Sequence, residues 1–297
     1  MLTTSTTAVV LDSTADLPDA RERFANFRVV PLLVRFPDSE ELRDYIDLQP
    51  PEFYERLAAS PSPPRTSQPS PEQFASIYAE LLAEGYEHIV SLHISGKLSG
   101  TLGSARLAAA EWPSQVTVLD TQLASVGIAM CALRVQGMLA EGTTIEAVTA
   151  YVEGFAPRVR LVFSVDTLEY LVRGGRIGKA QGMVGSLLSV KPILECKDGE
   201  VHGIGRARGR SRVVPALEAE LVQGSPVAAP LRVGLAHSAA PELLEAVAQM
   251  VARVRPAATV ELATALGAMI GTYTGPGTIG LMWLQEDPAG PAVVVSP

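Results

Sequence analysis

Short apolar runs that alternate with helical segments restrict the fold of this chain more than any other feature of its sequence. Residues 9–11, 28–36, 88–94 and 116–119 form apolar runs typical of buried strands. Helical segments are predicted at residues 50–59, 71–84, 100–111, 124–141 and 143–156. Strands and helices that alternate at this spacing predict a parallel sheet covered by helices. The expected fold class is therefore α/β.

The second half of the chain has a different pattern, which predicts a second domain. Strands are expected at residues 161–165, 191–196, 200–205, 232–237, 259–262 and 278–284, and helices at 167–173 and 241–253. A Gly- and Ser-rich helical run is expected to continue to Ser189. Lys197-Asp198-Gly199 separates two strands, and Asp-Gly there predicts an antiparallel hairpin. We predict an N-terminal α/β domain over residues 1–157 and a smaller C-terminal α+β domain over residues 158–297.

Composition and charge exclude several classes of protein. With 47% hydrophobic and 19% charged residues and a mean hydropathy of +0.21, the chain is too apolar for a disordered protein. The net charge of −8 argues against nucleic-acid binding. Cys131 and Cys196 form neither a CxxC pair nor a disulfide framework, as expected in a reducing compartment. No apolar stretch approaches the roughly 20 residues of a membrane span, and the N-terminus lacks a signal-peptide pattern, so we expect a cytoplasmic protein.

Residues 95–101, Ser-Gly-Lys-Leu-Ser-Gly-Thr, are the segment richest in groups that could bind a ligand. They lie between a predicted strand and a predicted helix, where free backbone N–H groups favour an anion. Alternatively, Ser99 only caps the helix. The residues alone leave both interpretations open. The segment does not match the GxSxG pattern of an α/β-hydrolase nucleophile.

Other motifs that suggest catalysis or metal binding are incomplete. Asp12 follows a strand, as in some phosphoryl-transfer enzymes, but Thr14 stands where a second acid would be needed, so a capping or turn aspartate is favoured. Residues 173–179 lack the first glycine of a phosphate-binding loop, and Ala180 replaces its final Ser or Thr. No histidines have metal-ligand spacing, and His93 is expected to be a core residue. We expect no metal site and no cofactor.

Positive charge is concentrated in residues 158–212. This segment holds eight Arg and three Lys against five acidic residues, a local net charge of +6 in an acidic chain. Arg206, Arg208, Arg210 and Arg212 alternate, which would place them on one side of an extended segment. They form either a solvated face or a docking surface for an acidic or phosphate-bearing partner.

Five segments of the chain resemble motifs of one known family and occur in the same order. They are residues 11–18 (LDSTADLP), 66–70 (TSQPS), 93–101 (HISGKLSGT), 166–179 (DTLEYLVRGGRIGK) and 274–278 (TGPGT). Together they resemble the DegV family, bacterial fatty-acid-binding proteins that partner a fatty acid kinase, over residues 8–283. The resemblance implies two domains with the ligand between them, the acyl chain in a buried tunnel and the carboxylate held by hydroxyl groups.

The resemblance also implies roles for individual residues. Matched by position, Thr66 and Ser99 would bind the fatty-acid carboxylate. The residues that would support their loops are Ser67, Gly100, Thr101 and Thr274. The family often has a histidine before Thr-Gly-Pro-Gly that helps to hold the carboxylate, whereas this chain has Tyr273. Its phenol stays neutral and can donate one hydrogen bond, so we expect Tyr273 to be the third contact of the head group.

The expected function is that of a carrier without chemistry of its own. It would hold a long-chain fatty acid, present the carboxylate to the kinase and pass the acyl phosphate on for phospholipid synthesis, with no nucleic-acid partner and at most transient membrane contact. The docking surface for the kinase would comprise Arg173, Arg176, Arg206 and Arg208. One alternative is a small-molecule hydrolase or phosphoryl-transfer enzyme that uses Asp12 and Ser99 in the interdomain cleft. The other is a regulatory module that binds a protein through the arginines.

Overall fold

The computed structural model describes residues 1–37, 39–183 and 190–285, which form three sheets surrounded by helices. The strands are β1 (Thr7–Asp12), β2 (Phe27–Val30), β3 (Leu33–Arg35), β4 (Leu42–Arg43), β5 (Arg65–Ser67), β6 (His88–His93), β7 (Val116–Asp120), β8 (Val159–Ser164), β9 (Val190–Lys197), β10 (Glu200–Arg208), β11 (Leu231–His237), β12 (Thr259–Ala265) and β13 (Ile279–Gln285). The α-helices are α1 (Ala20–Arg23), α2 (Pro50–Ala59), α3 (Pro71–Ala83), α4 (Thr101–Ala109), α5 (Val126–Glu141), α6 (Ile145–Glu153), α7 (Glu169–Arg173), α8 (Val213–Gly224), α9 (Pro241–Val254) and α10 (Ala268–Thr274).

Strands β2, β1, β6 and β7 form a parallel sheet in that order, and helices cover both of its faces. Successive side chains of a strand point to opposite faces. Ala8 and Val10 of β1 therefore pack with α3 and α4, whereas Val9 and Leu11 pack with α5. Burial on both faces explains why these strands are continuous apolar runs. The predicted α/β arrangement of this half is confirmed.

The second sheet has six strands in the order β10-β9-β8-β13-β11-β12, of which only β11 and β12 pair in parallel. The predicted hairpin is present, and Asp198 and Gly199 both adopt the positive φ angles that a tight hairpin needs. Ile279 and Leu281 of β13 pack under α8 and α9, whereas Met282 joins a core shared with the parallel sheet. The mixed α+β character predicted for this half is confirmed.

The two large sheets draw on separate parts of the chain. Every strand of the parallel sheet ends by Asp120, and every strand of the six-stranded sheet begins at Val159 or later. One hydrophobic core nevertheless contains side chains of both sheets, such as Leu11 and Leu161. The boundary between residues 157 and 158 therefore stays a prediction.

Several elements of both halves differ from the prediction. The strand expected over residues 28–36 is two strands, β2 and β3, because Pro31 lies between them and lacks an N–H group for the ladder. Strand β3 pairs with β4 and β5 in a small antiparallel sheet, so Thr66 lies in a strand rather than a loop. Helices α8 and α10 have no counterpart in the prediction.

The alternating arginines do not lie on one extended segment. Strand β10 ends at Arg208, Gly209 has a φ of +82°, and Arg210–Arg212 forms a 3-10 turn. The prediction of a single face of four arginines is therefore wrong, because only Arg206 and Arg208 belong to the strand. The helical run expected to reach Ser189 is a 3-10 turn over Gly178–Met183, and residues 184–189 lie outside the described residues.

In the described part of the chain, none of the helices combines the length and the apolar character that crossing a membrane requires.

Candidate functional site

A cavity of about 240 Å³ lies where the parallel sheet meets the six-stranded sheet. The loops after β1, β6 and β7 contribute to its wall, as expected for a site at the carboxyl ends of parallel strands. The opposite wall comes from the inner face of β8, β9, β11 and β13. Apolar side chains dominate the lining; examples are Leu161, Phe163, Cys196, Ala236, Leu266 and Ile270. Such a cavity suits a long aliphatic group.

Polar side chains gather at one part of this cavity. The hydroxyl oxygens of Thr66 and Tyr273 are 2.6 Å apart and share a hydrogen bond, although 207 positions separate the residues in sequence. The Arg176 guanidinium lies over the Tyr273 ring, 4.9 Å from its centroid. Arg176 also donates to the carbonyl oxygens of Leu98, at 3.0 Å, and Gly174, at 2.7 Å. The Leu98 contact places the Ser99 loop beside the same cluster.

Arg176 is the only charged residue among the described residues that line the cavity, and none of those residues is acidic. A guanidinium with its fixed fork of donors is suited to a carboxylate. The arrangement of hydroxyl groups around one cation therefore favours a ligand with a negative head group and an apolar tail. Arg176 therefore lies in the cavity wall, whereas the sequence analysis predicted it only as part of a docking surface.

The alternation of strand β5 explains which of its hydroxyl groups faces the cavity. Thr66 lines the cavity, whereas Ser67 points to the other side and donates to the Glu41 carboxylate at 3.3 Å. Gln68 follows on the Thr66 side and donates to the Ser104 hydroxyl of α4 at 3.0 Å. Gln68 belongs to the Thr-Ser-Gln-Pro-Ser segment, which the sequence analysis singled out, but Gln68 was not among the predicted site residues.

The Ser99 side chain bonds within the turn before α4 and also borders the cavity. Its hydroxyl accepts a hydrogen bond from the Thr101 N–H at 3.2 Å, near the start of α4, and it also lines the cavity. The Ser99 and Thr101 hydroxyl oxygens are 2.8 Å apart. A Cβ at Gly100 would lie 2.1 Å from Oε1 of Gln68, so the absence of a side chain at Gly100 leaves room for the Gln68 amide.

Helix α10 carries Tyr273 and Thr274, and both line the cavity. The Thr274 hydroxyl donates to the Ile270 carbonyl oxygen at 3.0 Å, which uses its proton within the helix. The Tyr273 ring packs directly on Gly174, where a Cβ would lie 2.3 Å from the ring. The absence of a side chain at Gly174 therefore leaves room for the ring.

Two buried carboxyl groups hold the start of helix α10. Oδ1 of Asp16 accepts from the Gly267 N–H, and Oδ1 of Asp44 accepts from the Ala268 N–H, both at 2.9 Å. The Tyr45 hydroxyl also donates to Asp16, at 2.7 Å. Burial raises the pKa of Asp16 to about 6, and burial together with the nearby Asp16 charge raises the pKa of Asp44 to about 7. The helix that carries Tyr273 is thus anchored by acids that titrate near neutral pH.

This anchor predicts that stability falls as pH rises toward neutrality. A carboxyl group whose folded pKa exceeds its unfolded value of 3.8 binds its proton more tightly in the folded protein. Its contribution is fully present below pH 4 and is lost as pH rises through about 7. We expect Asp44→Asn, which keeps an acceptor for Ala268, to show a smaller decrease in Tm between pH 5 and pH 8 than the parent. Each kcal/mol of pH-dependent unfolding free energy that the substitution removes should reduce the decrease by roughly 2–4 °C.

The matched control is Asp47→Asn in the same loop. Asp47 is exposed, and hydrogen bonds from Arg43 lower its pKa to about 2, so it does not titrate in this window. Calorimetric Tm values at a series of pH values compare the variants with the parent. If Tm of the Asp44→Asn protein decreased with pH as steeply as that of the parent, Asp44 would not be a source of the pH dependence.

Asp12 takes part in a buried hydrogen-bond chain instead of joining Ser99. Its Oδ2 is 2.9 Å from Nδ1 of His93, and Nε2 of His93 is 2.7 Å from the Ser91 hydroxyl. The Ser91 hydroxyl lies 2.8 Å from the Tyr78 hydroxyl. The geometry resembles a Ser–His–Asp triad, but Asp12, His93 and Ser91 are 0% exposed and do not line the cavity. His93 is the satisfied core histidine that the sequence predicted.

The arginines expected to dock a partner lie in different surroundings. Arg206 and Arg208 are exposed on β10. Arg173 is exposed and pairs with Glu169 at 2.5 Å along α7. Arg176, by contrast, is half-buried in the cavity wall.

The cysteines are both free and buried, and burial raises the pKa of each thiol to about 12. Cys196 therefore presents a neutral, weakly polar surface to the cavity. No cluster of three or more His, Cys, Asp or Glu side chains among the described residues is arranged to hold a metal ion.

Comparison with known proteins assigns the chain to a family. A DegV family protein from Thermus thermophilus, described as fatty acid binding, superposes with a TM-score of 0.87 and 42% identity over 94% of this chain and 99% of its own. A Thermotoga maritima fatty acid-binding protein is 34% identical over 92% of this chain and 95% of its own. A stearic-acid-binding protein from Eubacterium ventriosum has a TM-score of 0.80 and 27% identity over 93% of this chain and 97% of its own. Residues 6–286 match the model of the family described as "Uncharacterised protein, DegV family", and the chain belongs to the DegV family.

Proposed function

We propose that this protein is a carrier that binds one long-chain fatty acid in the cavity. The observation that carries the proposal is an apolar cavity in whose wall Tyr273 contacts both Thr66 and Arg176, with Ser99 in the loop that Arg176 contacts. The carboxylate would lie among these groups and the acyl chain along the apolar lining. The relatives described as fatty-acid-binding proteins support the same ligand class.

The energetics agree with this division of roles. Burying about 14 methylenes at roughly 0.8 kcal/mol each gives about 11 kcal/mol of gross transfer free energy. The loss of translational and conformational freedom on binding reduces this figure. The apolar wall would therefore provide most of the affinity, and the hydroxyl groups and Arg176 would set the orientation.

The proposal includes a kinase partner. A carrier that keeps the carboxylate in place can present it for phosphorylation and release an acyl phosphate for phospholipid synthesis in the cytoplasm. Arg206 and Arg208, exposed and without an ion pair among the described residues, support docking of an acidic or phosphate-bearing partner. Charge reversal of this pair, with fatty-acid binding measured in parallel, tests docking separately from ligand binding.

We expect the purified protein to contain close to one equivalent of long-chain fatty acid. Denaturing extraction followed by mass spectrometry measures the ligand and its chain length. Delipidated protein should regain a higher Tm when fatty acid is added, because a ligand that binds only the folded state stabilises it. Repeated extraction without fatty acid, together with a Tm that added fatty acid does not change, would contradict the carrier function.

A further inference from the structure

Helix α10 has one face in the cavity and its first turn on two buried acids. Met269, Ile270, Tyr273 and Thr274 line the cavity, and their spacing places them on one side of the helix. The helix has only 7 residues, too few to be stable in isolation. Its position therefore depends on what packs against it, and a ligand in the cavity would supply the packing on this face.

The two acids lie where water does not reach them. Oδ1 of Asp16 and Oδ1 of Asp44 accept from the consecutive N–H groups of Gly267 and Ala268. Asp16 is 0% exposed and Asp44 is 1% exposed. Oδ2 of each carboxyl group has no hydrogen-bond partner in the described part of the chain. An ionised carboxylate here would leave a buried charge partly unsatisfied, and the neutral acid avoids most of that cost.

The surroundings of the acids do not offset a negative charge. The titratable groups that face them are Asp12 at the end of β1, Tyr45 in the loop after β4 and Tyr54 of α2. None of the ion pairs formed by the described residues involves Asp16 or Asp44. The charged side chains of the neighbouring elements pair with each other instead: Arg43 with Asp47, Glu52 with Arg56, and His93 with Asp12.

We propose that Asp16 and Asp44 couple fatty-acid binding to protonation, so that the protein takes up protons as it binds its ligand and holds the ligand less tightly as pH rises toward neutrality. The inference rests on the proposed function, because it assumes that the acyl chain fills the cavity against α10. With ligand in place, α10 stays packed and the acids stay buried and neutral. Without ligand, α10 loosens, water reaches the acids, and they release protons more readily.

The direction of the effect follows from the two states of the acids. In the packed state burial raises the pKa of Asp16 to about 6, and burial together with the Asp16 charge raises the pKa of Asp44 to about 7. Entry of water would return each pKa toward its ordinary value of 3.8. The ligand-bound protein then binds protons more tightly than the ligand-free protein. Full affinity is therefore present at acidic pH, is lost as pH rises through about 7 and levels off above it.

The test is calorimetric titration with palmitate between pH 5.5 and pH 8.5. Each titration is repeated in two buffers of different ionisation enthalpy, which gives the number of protons taken up on binding. The parent is compared with Asp16→Asn, with Asp44→Asn and with the exposed control Asp47→Asn, whose pKa is lowered to about 2 by hydrogen bonds from Arg43. Titration of palmitate itself contributes equally for all four proteins, so differences between them belong to the protein.

We expect Kd of the parent to increase roughly tenfold over this range, which corresponds to one acid binding its proton about tenfold less tightly in the ligand-free form. Proton uptake should be largest between pH 6 and pH 7. Asparagine keeps the Oδ1 acceptor and does not titrate, so Asp16→Asn and Asp44→Asn should each show a smaller change in Kd and less proton uptake. Asp47→Asn should behave like the parent.

Tyr45→Phe is a second test that leaves both acids in place. The Tyr45 hydroxyl donates to Oδ1 of Asp16 at 2.7 Å and so stabilises the ionised form. Its loss should raise the pKa of Asp16 further and move the decrease in affinity to higher pH. This variant decides the question if the asparagine variants do not fold.

A parent protein that takes up no protons on binding palmitate would overturn the coupling. The same conclusion follows if both asparagine variants keep the parent's pH dependence and proton uptake, or if Tyr45→Phe leaves the pH dependence where it is in the parent. A parent protein that binds no palmitate at any pH in this range would instead contradict the proposed function itself.

Discussion

Gly280→Leu is expected to abolish tight binding of long-chain fatty acids while leaving the protein folded. Gly280 lies in β13 and lines the cavity. A Cβ there would meet the Ala236 carbonyl oxygen at 3.7 Å, Cβ of Ala236 at 3.9 Å and Cβ of Phe163 at 4.0 Å, which are ordinary contact distances. A leucine can therefore stay in the strand and fill space that the acyl chain would otherwise occupy.

The size of this effect follows from the methylenes that the leucine excludes. If it displaces about four, the lost transfer free energy is about 3 kcal/mol, or more than a hundredfold in Kd. Shorter fatty acids, which leave the filled space empty, should lose much less. Titration with a series of chain lengths measures both effects.

Two control variants separate occlusion of the cavity from general damage. Gly280→Ala adds only the Cβ and should bind long chains almost as the parent does. Gly103→Leu adds the same side chain at an exposed position of α4 where a Cβ meets nothing within 4 Å. A Gly280→Leu protein with native circular dichroism and the parent's chain-length preference would show that the chain does not occupy this cavity.

Ser99→Ala and Thr66→Ala are expected to weaken fatty-acid binding by roughly tenfold to a hundredfold each, because a hydrogen bond to a charged group contributes about 1.5–3 kcal/mol. Both hydroxyl groups line the cavity, and Thr66 contacts Tyr273 directly. Ser67→Ala is the matched control, since its hydroxyl bonds Glu41 on the opposite face of β5. It should bind fatty acid like the parent.

Tyr273→Phe distinguishes two roles for the residue that replaces the family histidine. If the phenol contacts the carboxylate, its loss should match that of Thr66→Ala. If it only orients Thr66, the loss should be smaller. Calorimetric titration of all variants with one fatty acid compares them. Parent-like affinity in both Ser99→Ala and Thr66→Ala would place the carboxylate elsewhere.

Much of the fold could be read from local sequence. Continuous apolar runs predicted the parallel strands because both faces of that sheet are buried, and Asp198-Gly199 predicted the hairpin because its residues tolerate positive φ. The break at Pro31, which divides one predicted strand into β2 and β3, shows what local sequence does not predict. An apolar run does not reveal that its two halves join different sheets, since pairing partners are distant in sequence.

Helix α10 shows why the site itself was only partly predictable. The helix contains Gly271, Thr272, Tyr273 and Thr274, which are weak helix formers. It forms because Asp16 and Asp44 bind its first N–H groups and because Gly271 lets it pack closely on α2, where a Cβ would lie 2.6 Å from the Tyr54 hydroxyl oxygen. These stabilising contacts come from residues more than 200 positions away, so no local pattern signals them.

The sequence by itself determined most of the element types, the two kinds of sheet and the family, because these depend on local periodicity and on motifs that remain in order along the chain. It also singled out Thr66, Ser99 and Tyr273. Only the tertiary structure decided that Thr66 meets Tyr273, that Arg176 belongs to the cavity and that Asp12 does not. The physical reason is that a site of this kind is a set of long-range contacts, and the packing of β5, α10 and the loop after β6 brings its members together.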